Sequence, residues 1–399
     1  MATTPPAGQP WPGITFETLH WTPSATTGRL ADLIAGDYDA AVPPDIAEAV
    51  VNMDSSVARL CQDAAVEIGR FDSELGTEIA PFAAILLRSE SASSSQIENL
   101  TASAKAVLMA EAGDTSRVNA TQIATNTVSM QDAVDLADDL DGDSILAMHR
   151  ALLGDQHPDW AGQWRTQQVW IGGRAASPHQ ATFVPPHDTR IPHLIDDLIA
   201  FSHRPDIEPL TKALIAHAQF ETIHPFIDGN GRTGRALMHS ILRRDQLTRN
   251  VTVPVSAGLL TDTDRYFAAL DAYRAGDINP ILELGASAAL AAIDNGRQLA
   301  AETTEAKAGW IDKLAGTRSD AAVWKIVDTL IEHPVTDANT VAERHNISTV
   351  AARGAINQLA ELGIVKQADA GLRFRKWIAP DIATALDHFA QRTGRRNHP

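Results

Sequence analysis

Cysteine is almost absent from this sequence: Cys61 is the only one in 399 residues. One thiol excludes an intramolecular disulfide and a cysteine-based zinc site, and is expected as a small core residue in a reducing compartment. Long apolar runs are missing as well. Nowhere do about 18 apolar residues run unbroken, so no segment reads as a membrane span. The opening residues, MATTPPAGQPWPG, lack both the basic and the apolar region of a secretory signal. A cytoplasmic protein without membrane contact is expected. Basic charge is scarce too, with 33 Lys and Arg against 50 Asp and Glu and a formal net charge of −17. That balance opposes non-specific binding to nucleic acid or anionic membranes, so any cationic site must be local.

What is present is an ordinary globular composition, 44% apolar and 21% charged, in a chain long enough for two or three domains. Residues 1–20, rich in Pro, Gly and Thr, predict a flexible arm whose end Trp21 anchors. Residues 21–115 read as a helical module and 116–300 as a second helical region. The second is interrupted by QQVWIGGRAASPHQATFVPP at 167–186, where β-formers flank a turn and predict a hairpin. Helical periodicity marks 192–201 and 210–220, the latter with Leu210, Ala213, Leu214 and Ala218 on one stripe. A helical link at 286–314 is expected to lead, through a linker at 301–318, to a smaller unit at 319–380, followed by a tail at 381–399. In that unit helices at 321–332, 340–345 and 349–362 precede two short strands around Gly371, the layout of a winged helix-turn-helix.

The densest chemistry lies in HPFIDGNGRTGR at 224–235. Its Gly229-x-Gly231-x-x-Gly234 matches the dinucleotide fingerprint, but that fingerprint needs a preceding strand and an acidic residue about twenty positions on. Here a helix precedes and TVPVSAG follows. A phosphate-binding P-loop needs a lysine that is absent, and a zinc site lacks a second histidine at helical spacing. What remains is a glycine turn leading into a helix with Ala236, Leu237, Met238, Ile241 and Leu242 on its apolar side. Such a turn aims backbone N–H groups at one spot, where the helix N-terminus adds positive potential. Arg232 and Arg235 stand there against the macrodipole, at about 0.3–1 kcal/mol each, which makes sense if a polyanion offsets the cost. Asp228 beside a phosphate asks for a bridging Mg²⁺. His224 completes the set as a general base.

HPFIDGNGRTGR resembles the Fic-domain motif HPFx[DE]GNGRxxR at every fixed position. The resemblance implies a mostly α-helical Fic core over 116–300 and transfer of AMP from ATP to a protein hydroxyl. His224 would deprotonate the Tyr, Ser or Thr acceptor and Asp228 would hold Mg²⁺. Gly229, Asn230 and Gly231 would form the anion hole, and Gly234 would share the phosphate-binding set with Arg232 and Arg235. The hairpin at 167–186 takes the place of the flap, which receives an extended target segment by β-augmentation. Tyr266 stands where relatives carry a Tyr-Tyr pair near the adenine, although the second position is Phe267.

Upstream, SSSQIENL at 93–100 reads on its own as a capping box, Ser95-x-x-Glu98, opening a helix with Ile97, Leu100, Ala104 and Val107 on its stripe. Its Ser94-x-x-x-Glu98-Asn99 also resembles the inhibitory motif [ST]xxxE[GN] of class II Fic proteins. That implies auto-inhibition by pairing of Glu98 with Arg235. Two alternatives stand beside transfer: removal of AMP, with Glu98 orienting a water, and a DNA-binding regulator whose core senses nucleotide. In the C-terminal unit Thr349, Arg353 and Asn357 share a face opposite Ala351, Ala355, Ile356 and Leu359. Arg373, Arg375 and Lys376 lie in the wing, so 340–376 has the pieces of a DNA reader. The protein's acidity favours protein contacts or a homodimer instead.

Overall fold

β-Branched and aromatic residues in TFETLHW build β1 (Thr15–Trp21), which pairs antiparallel with β2 (Gly36–Val42), Thr15 opposite Val42 and Trp21 opposite Gly36. The computed structural model describes residues 10–23, 35–74, 79–172, 177–319, 321–368 and 375–394. Of the expected arm, residues 1–9 lie outside this set, and the remainder is corrected. Trp11 is buried, packed edge-on against Phe201 and tilted against Tyr273, because an indole recovers its transfer free energy only by packing. The helical module likewise gives up its first residues to this two-stranded sheet.

Helices follow: α1 (Ser55–Glu74), α2 (Ile79–Ile97), α3 (Ala104–Glu111), α4 (Val118–Asp135), α5 (Gly142–Leu153), α6 (Ile191–Ser202), α7 (Pro209–Ile223), α8 (Asn230–Arg244), α9 (Val255–Leu259), α10 (Thr263–Arg274) and α11 (Asn279–Lys313). The mostly α fold class stands. The helical link expected at 286–314 is part of the 35-residue α11, which continues into the expected linker as far as Lys313, since AAETTEAKAGW contains no proline and only one glycine to stop it. The C-terminal order is α12 (Ala322–Thr329), β3 (Val335–Thr336), α13 (Ala338–His345), α14 (Thr349–Glu361), β4 (Lys366–Gln367) and β5 (Trp377–Ile378), with the sheet ordered β3-β5-β4. This is the element order expected of a winged helix-turn-helix, with one strand more than the sequence reading named. The expected tail forms α15 (Pro380–Arg392), started by Pro380 and buried through Ile382, Ala383, Ala385 and Phe389.

The chain divides into two compact units that are not sequential: 1–66, 129–247 and 262–287 form one, and 67–128, 248–261 and 288–399 the other. The boundaries fall inside α1, α4 and α11. In the first unit α7 is buried at every position from Leu210 to Ile223, and α8 from Asn230 to Leu242. The expected stripe on α7 is therefore a helix buried all round, which marks a central element. Gly234 lets the two helices approach, because a Cβ there would lie 2.9 Å from Cδ1 of Phe220. Cys61 is buried in this unit, and burial pushes its thiol up to about 11, in keeping with a core role.

In the second unit Leu108, Met109, Ala368, Ile378 and Ala383 form a core cluster that joins α3, β5 and α15. On α14 the buried set is Ala352, Ala355, Ile356 and Leu359, while Ala351 faces out, a one-residue correction to the expected face. Arg353 and Asn357 are exposed as expected, and Thr349 is half-buried. The wing tip at 369–374, including Arg373, lies outside the described residues. Lys376 donates its ammonium to the carbonyl of Ala112, so this wing cation is spent at least partly within the chain.

Candidate active site

α7 ends where His224 turns into the left-handed region, φ 50°, while its N–H still caps Phe220. Five residues later Gly229, φ 77°, turns the chain again and α8 begins. A side chain is rare at such a φ, and a histidine held there by a buried helix on each side is a strained, functional kind of position. Between the two turns Asn230 clamps the loop: its Oδ1 accepts the Phe226 N–H at 2.9 Å, and its Nδ2 donates to the Phe226 carbonyl at 3.0 Å. The expected anion-hole role can thus involve only the backbone of Asn230. The first-turn amides of Asn230 and Gly231 have no intrahelical acceptor by geometry, which is the requirement for receiving an anion. Gly229 spends its own N–H on Oδ1 of Asp228 at 2.7 Å.

His224 is neutral. Burial, followed by the charges of Arg165 and Arg274, drives its imidazole down to about 3. Nδ1 is 3.9 Å from Oε2 of Glu221, too far to hydrogen-bond, and the side chain keeps 18% exposure. A ring in this state is unprotonated throughout the physiological range, the form a general base requires, and so low a pKa makes it a weak base until bound anionic charge raises it. Asp228 is placed oppositely, with a 65% exposed carboxylate whose Oδ2 is 3.9 Å from Nη2 of Arg232. Arg232 itself is 5% exposed. Arg235 is fully buried, and its charge joins burial in lowering His217 to about 3. The two arginines expected to act together are therefore both buried.

Two residues that the sequence reading missed support this loop. His149 on α5 accepts the Gly162 N–H at Nδ1, 2.8 Å, so its Nε2 carries the proton and donates to the Asp228 carbonyl at 3.0 Å. Its ring lies flat on Phe226, centroids 3.7 Å apart and planes 1° off parallel, and burial holds it down to about 4. Arg165, 2% exposed, donates Nε to the His224 carbonyl at 2.9 Å, Nη1 to Gln167 at 2.9 Å and Nη2 to Pro186 at 2.6 Å. It joins both ends of the 167–186 segment to the backbone of His224.

That segment is less regular than expected. A single antiparallel bridge, Ile171 with Phe183, stands in for a ladder, and its tip at 173–176 lies outside the described residues. Pro178, Pro185 and Pro186 remove ladder donors, and Pro178 opens a 3₁₀ turn. Tyr266 lies on α10. It is 1% exposed, with its hydroxyl 2.8 Å from Nε2 of His217, which braces α10 against α7; the exposed aromatic is Phe267. Gly234, grouped with the phosphate binders, serves helix approach.

Ser94, Glu98 and Asn99 lie in the second unit, where the capping-box expectation fails. The stretch closes α2 rather than opening a helix: Asn99 adopts φ 62° and the Leu100 N–H returns to the Ser95 carbonyl at 3.0 Å. The following helix is capped separately by Ser103. Ser94 and Ser95 are buried, Asn126 donates to Ser91 O and Ser95 Oγ at 3.0 and 3.1 Å, and Glu98 is exposed.

Residues 139–242 match the Fic/DOC family. Over 148 residues the chain is 32% identical to a protein adenylyltransferase, fic-1, of Caenorhabditis elegans, a match covering 36% of this chain and 26% of the relative. It is 33% identical over 141 residues to protein adenylyltransferase Fic of Drosophila willistoni, covering 35% and 25%. The matches thus span about a quarter of these curated relatives. A Fic family protein of Desulfovibrio desulfuricans shares the fold, with TM-score 0.52 and 21% identity over 82% of this chain and 97% of the other.

Proposed function

We propose that this chain, through the Fic domain at residues 139–242, transfers AMP from ATP to a hydroxyl side chain of a target protein. The observation that carries the reading is the neutral His224, fixed in a left-handed turn five residues ahead of the glycine that starts α8. His224 takes the proton of a Tyr, Ser or Thr hydroxyl as that oxygen forms its bond to the α-phosphorus. The bond to the β-phosphate oxygen breaks and pyrophosphate leaves. The amides of Asn230 and Gly231 and the guanidinium of Arg232 receive the phosphate charge, with Arg235 beneath them on the same helix.

No group of three or more His, Cys, Asp or Glu that could hold a metal occurs among the described residues. One exposed carboxylate, Asp228, suits Mg²⁺, which takes one or two protein ligands and completes its octahedron with phosphate oxygens and water. Bound there, the ion would neutralise the phosphates. The target segment is proposed to lie along 167–186, whose ends Arg165 ties to the His224 loop. For the C-terminal unit the proposed role is protein contact or homodimer formation; the engagement of Lys376 with Ala112 supports this over phosphate-backbone contact.

Regulation is proposed to come from Glu98, paired with Arg235 so that ATP is held unproductively. The support is the Ser94-x-x-x-Glu98-Asn99 pattern, ending a helix whose last turn Asn126 anchors. Wild type, Glu98→Gly and His224→Ala are incubated with Mg-ATP and weighed intact. A gain of one AMP in Glu98→Gly alone is expected. Equal labelling of wild type and Glu98→Gly removes the brake, and labelling of His224→Ala removes the base. Loss of AMP from a pre-labelled protein on wild type, abolished by Glu98→Gly, would favour the removal reaction.

A further inference from the structure

The segment at 167–186 is a hairpin nearly without a ladder. Among the described residues its two arms meet at one bridge, where the Ile171 N–H donates to the Phe183 carbonyl at 2.8 Å and the Thr182 and Phe183 N–H groups return to the Ile171 carbonyl at 2.8 and 3.2 Å. An isolated pairing of that size is marginal in water and needs support from outside. Arg165 ties the ends of the segment, at Gln167 and Pro186, and β2 adds one bond, from the Ala41 N–H to the Val184 carbonyl at 2.9 Å. These ties reach the backbone. The side chain at the bridge is held differently.

What meets Phe183 is Arg274, in the last turn of α10. Its guanidinium carbon lies 3.8 Å from the centre of the Phe183 ring, the distance of a cation seated on an aromatic face. Nη1 donates to Oδ1 of Asp271 at 2.8 Å, and the Arg274 carbonyl accepts the Ile14 N–H at 2.8 Å, so side chain and backbone are both anchored. The Arg274 side chain is 11% exposed, whereas that of Asp271 is 62% exposed. An ion pair with so exposed a partner adds little, and burial works against the guanidinium charge. An aliphatic side chain would cover Phe183 without that penalty. The charge is also felt at His224, where together with Arg165 it opposes protonation of the imidazole. One buried cation thus grips the bridge and lies within electrostatic reach of the proposed base.

We propose that Arg274 is a positioning residue for transfer: it latches Phe183, and with it the bridge to Ile171, onto α10, so that a target segment laid along 167–186 meets His224 at a fixed distance. The proposal rests on the transferase reading. Arg274 lies outside residues 139–242, the stretch matched to the Fic/DOC family. Its action runs through Phe183, and a double-mutant cycle isolates an action of that kind.

Arg274→Met keeps the length of the stem without the charge or the plane, and Phe183→Leu keeps an apolar side chain without the ring. Both, and the double variant, are made in the Glu98→Gly chain, and the rate of AMP gain at saturating Mg-ATP is followed by intact mass. Each single variant is expected to slow transfer about 10-fold with ATP affinity unchanged, and the double variant no more than either single. Hydrogen exchange on the same proteins without nucleotide should quicken about 10-fold in peptides covering Ile171, Thr182 and Phe183, while α7 and α8 keep their protection. A loss of about 100-fold in the double variant, or unchanged exchange at the bridge, or exchange that quickens equally through α7 and α8, overturns the latch. If the Glu98→Gly chain gains no AMP at all, the transferase reading fails, and the exchange measurement still decides whether Arg274 holds the bridge.

Discussion

Acidification from pH 8 to pH 5.5 should weaken the folded state through three histidines. His149 is held down to about 4, and His217 and His224 to about 3, chiefly by burial. Above the unfolded histidine pKa, near 6.5, both states are neutral and the groups contribute nothing to the pH dependence. As the pH falls below that value the unfolded chain binds protons that the folded chain refuses, and stability is lost until the folded pKa is reached. At pH 5.5 each histidine accounts for about 1.4 kcal/mol, so the three together cost about 4 kcal/mol. His333 and His345, also lowered by burial, act in the same direction. Urea unfolding followed by far-UV circular dichroism at the two pH values measures the loss. In His149→Gln, which retains a donor and an acceptor, the loss should shrink by about a third. A loss under about 1 kcal/mol in the wild type, or an equal loss in the variant, would refute burial as the reason these rings are neutral.

Asn230→Ala leaves the buried N–H and carbonyl of Phe226 without their clamp and should cost about 2–4 kcal/mol, with AMP transfer falling by at least tenfold; unchanged urea midpoint and turnover would sink that role. Gly234→Ala puts a Cβ 2.9 Å from Phe220 and should lower stability by about 1–3 kcal/mol, read from thermal melts. Arg165→Lys loses the fork that serves three carbonyls; turnover should drop while ATP affinity, read by calorimetry, holds. Transfer by the Glu98→Gly enzyme should show no loss attributable to His224 between pH 7 and pH 5, since its ring stays neutral; an inflection near 6.5 that His149→Gln does not move would refute this.

Local rules were legible where side-chain pattern decides structure. The periodicity at 192–201 and 210–220 became α6 and α7, and the helix-turn-helix spacing became α13 and α14. Failure came where a distant partner decides. β1 and β2 needed each other across residues 22–35. The Ser95–Glu98 capping box has the right letters for a helix start, but Asn99 in the left-handed region makes the stretch a helix end. An i, i+3 pattern has no direction until the backbone supplies it.

By itself the sequence determined the make-up of the loop: one histidine, one carboxylate, two arginines, and a glycine turn that feeds a helix N-terminus. Those follow from residue type and neighbours within twelve positions. Only the tertiary structure decided what each side chain is free to do. Asn230 and Gly234 turned out to hold the loop and the helices, Tyr266 to brace His217, and Arg165 and His149, 59 and 75 residues before His224, to fix it in place. Burial and hydrogen-bond partners are set by residues far apart in the chain, and no local window of sequence contains them.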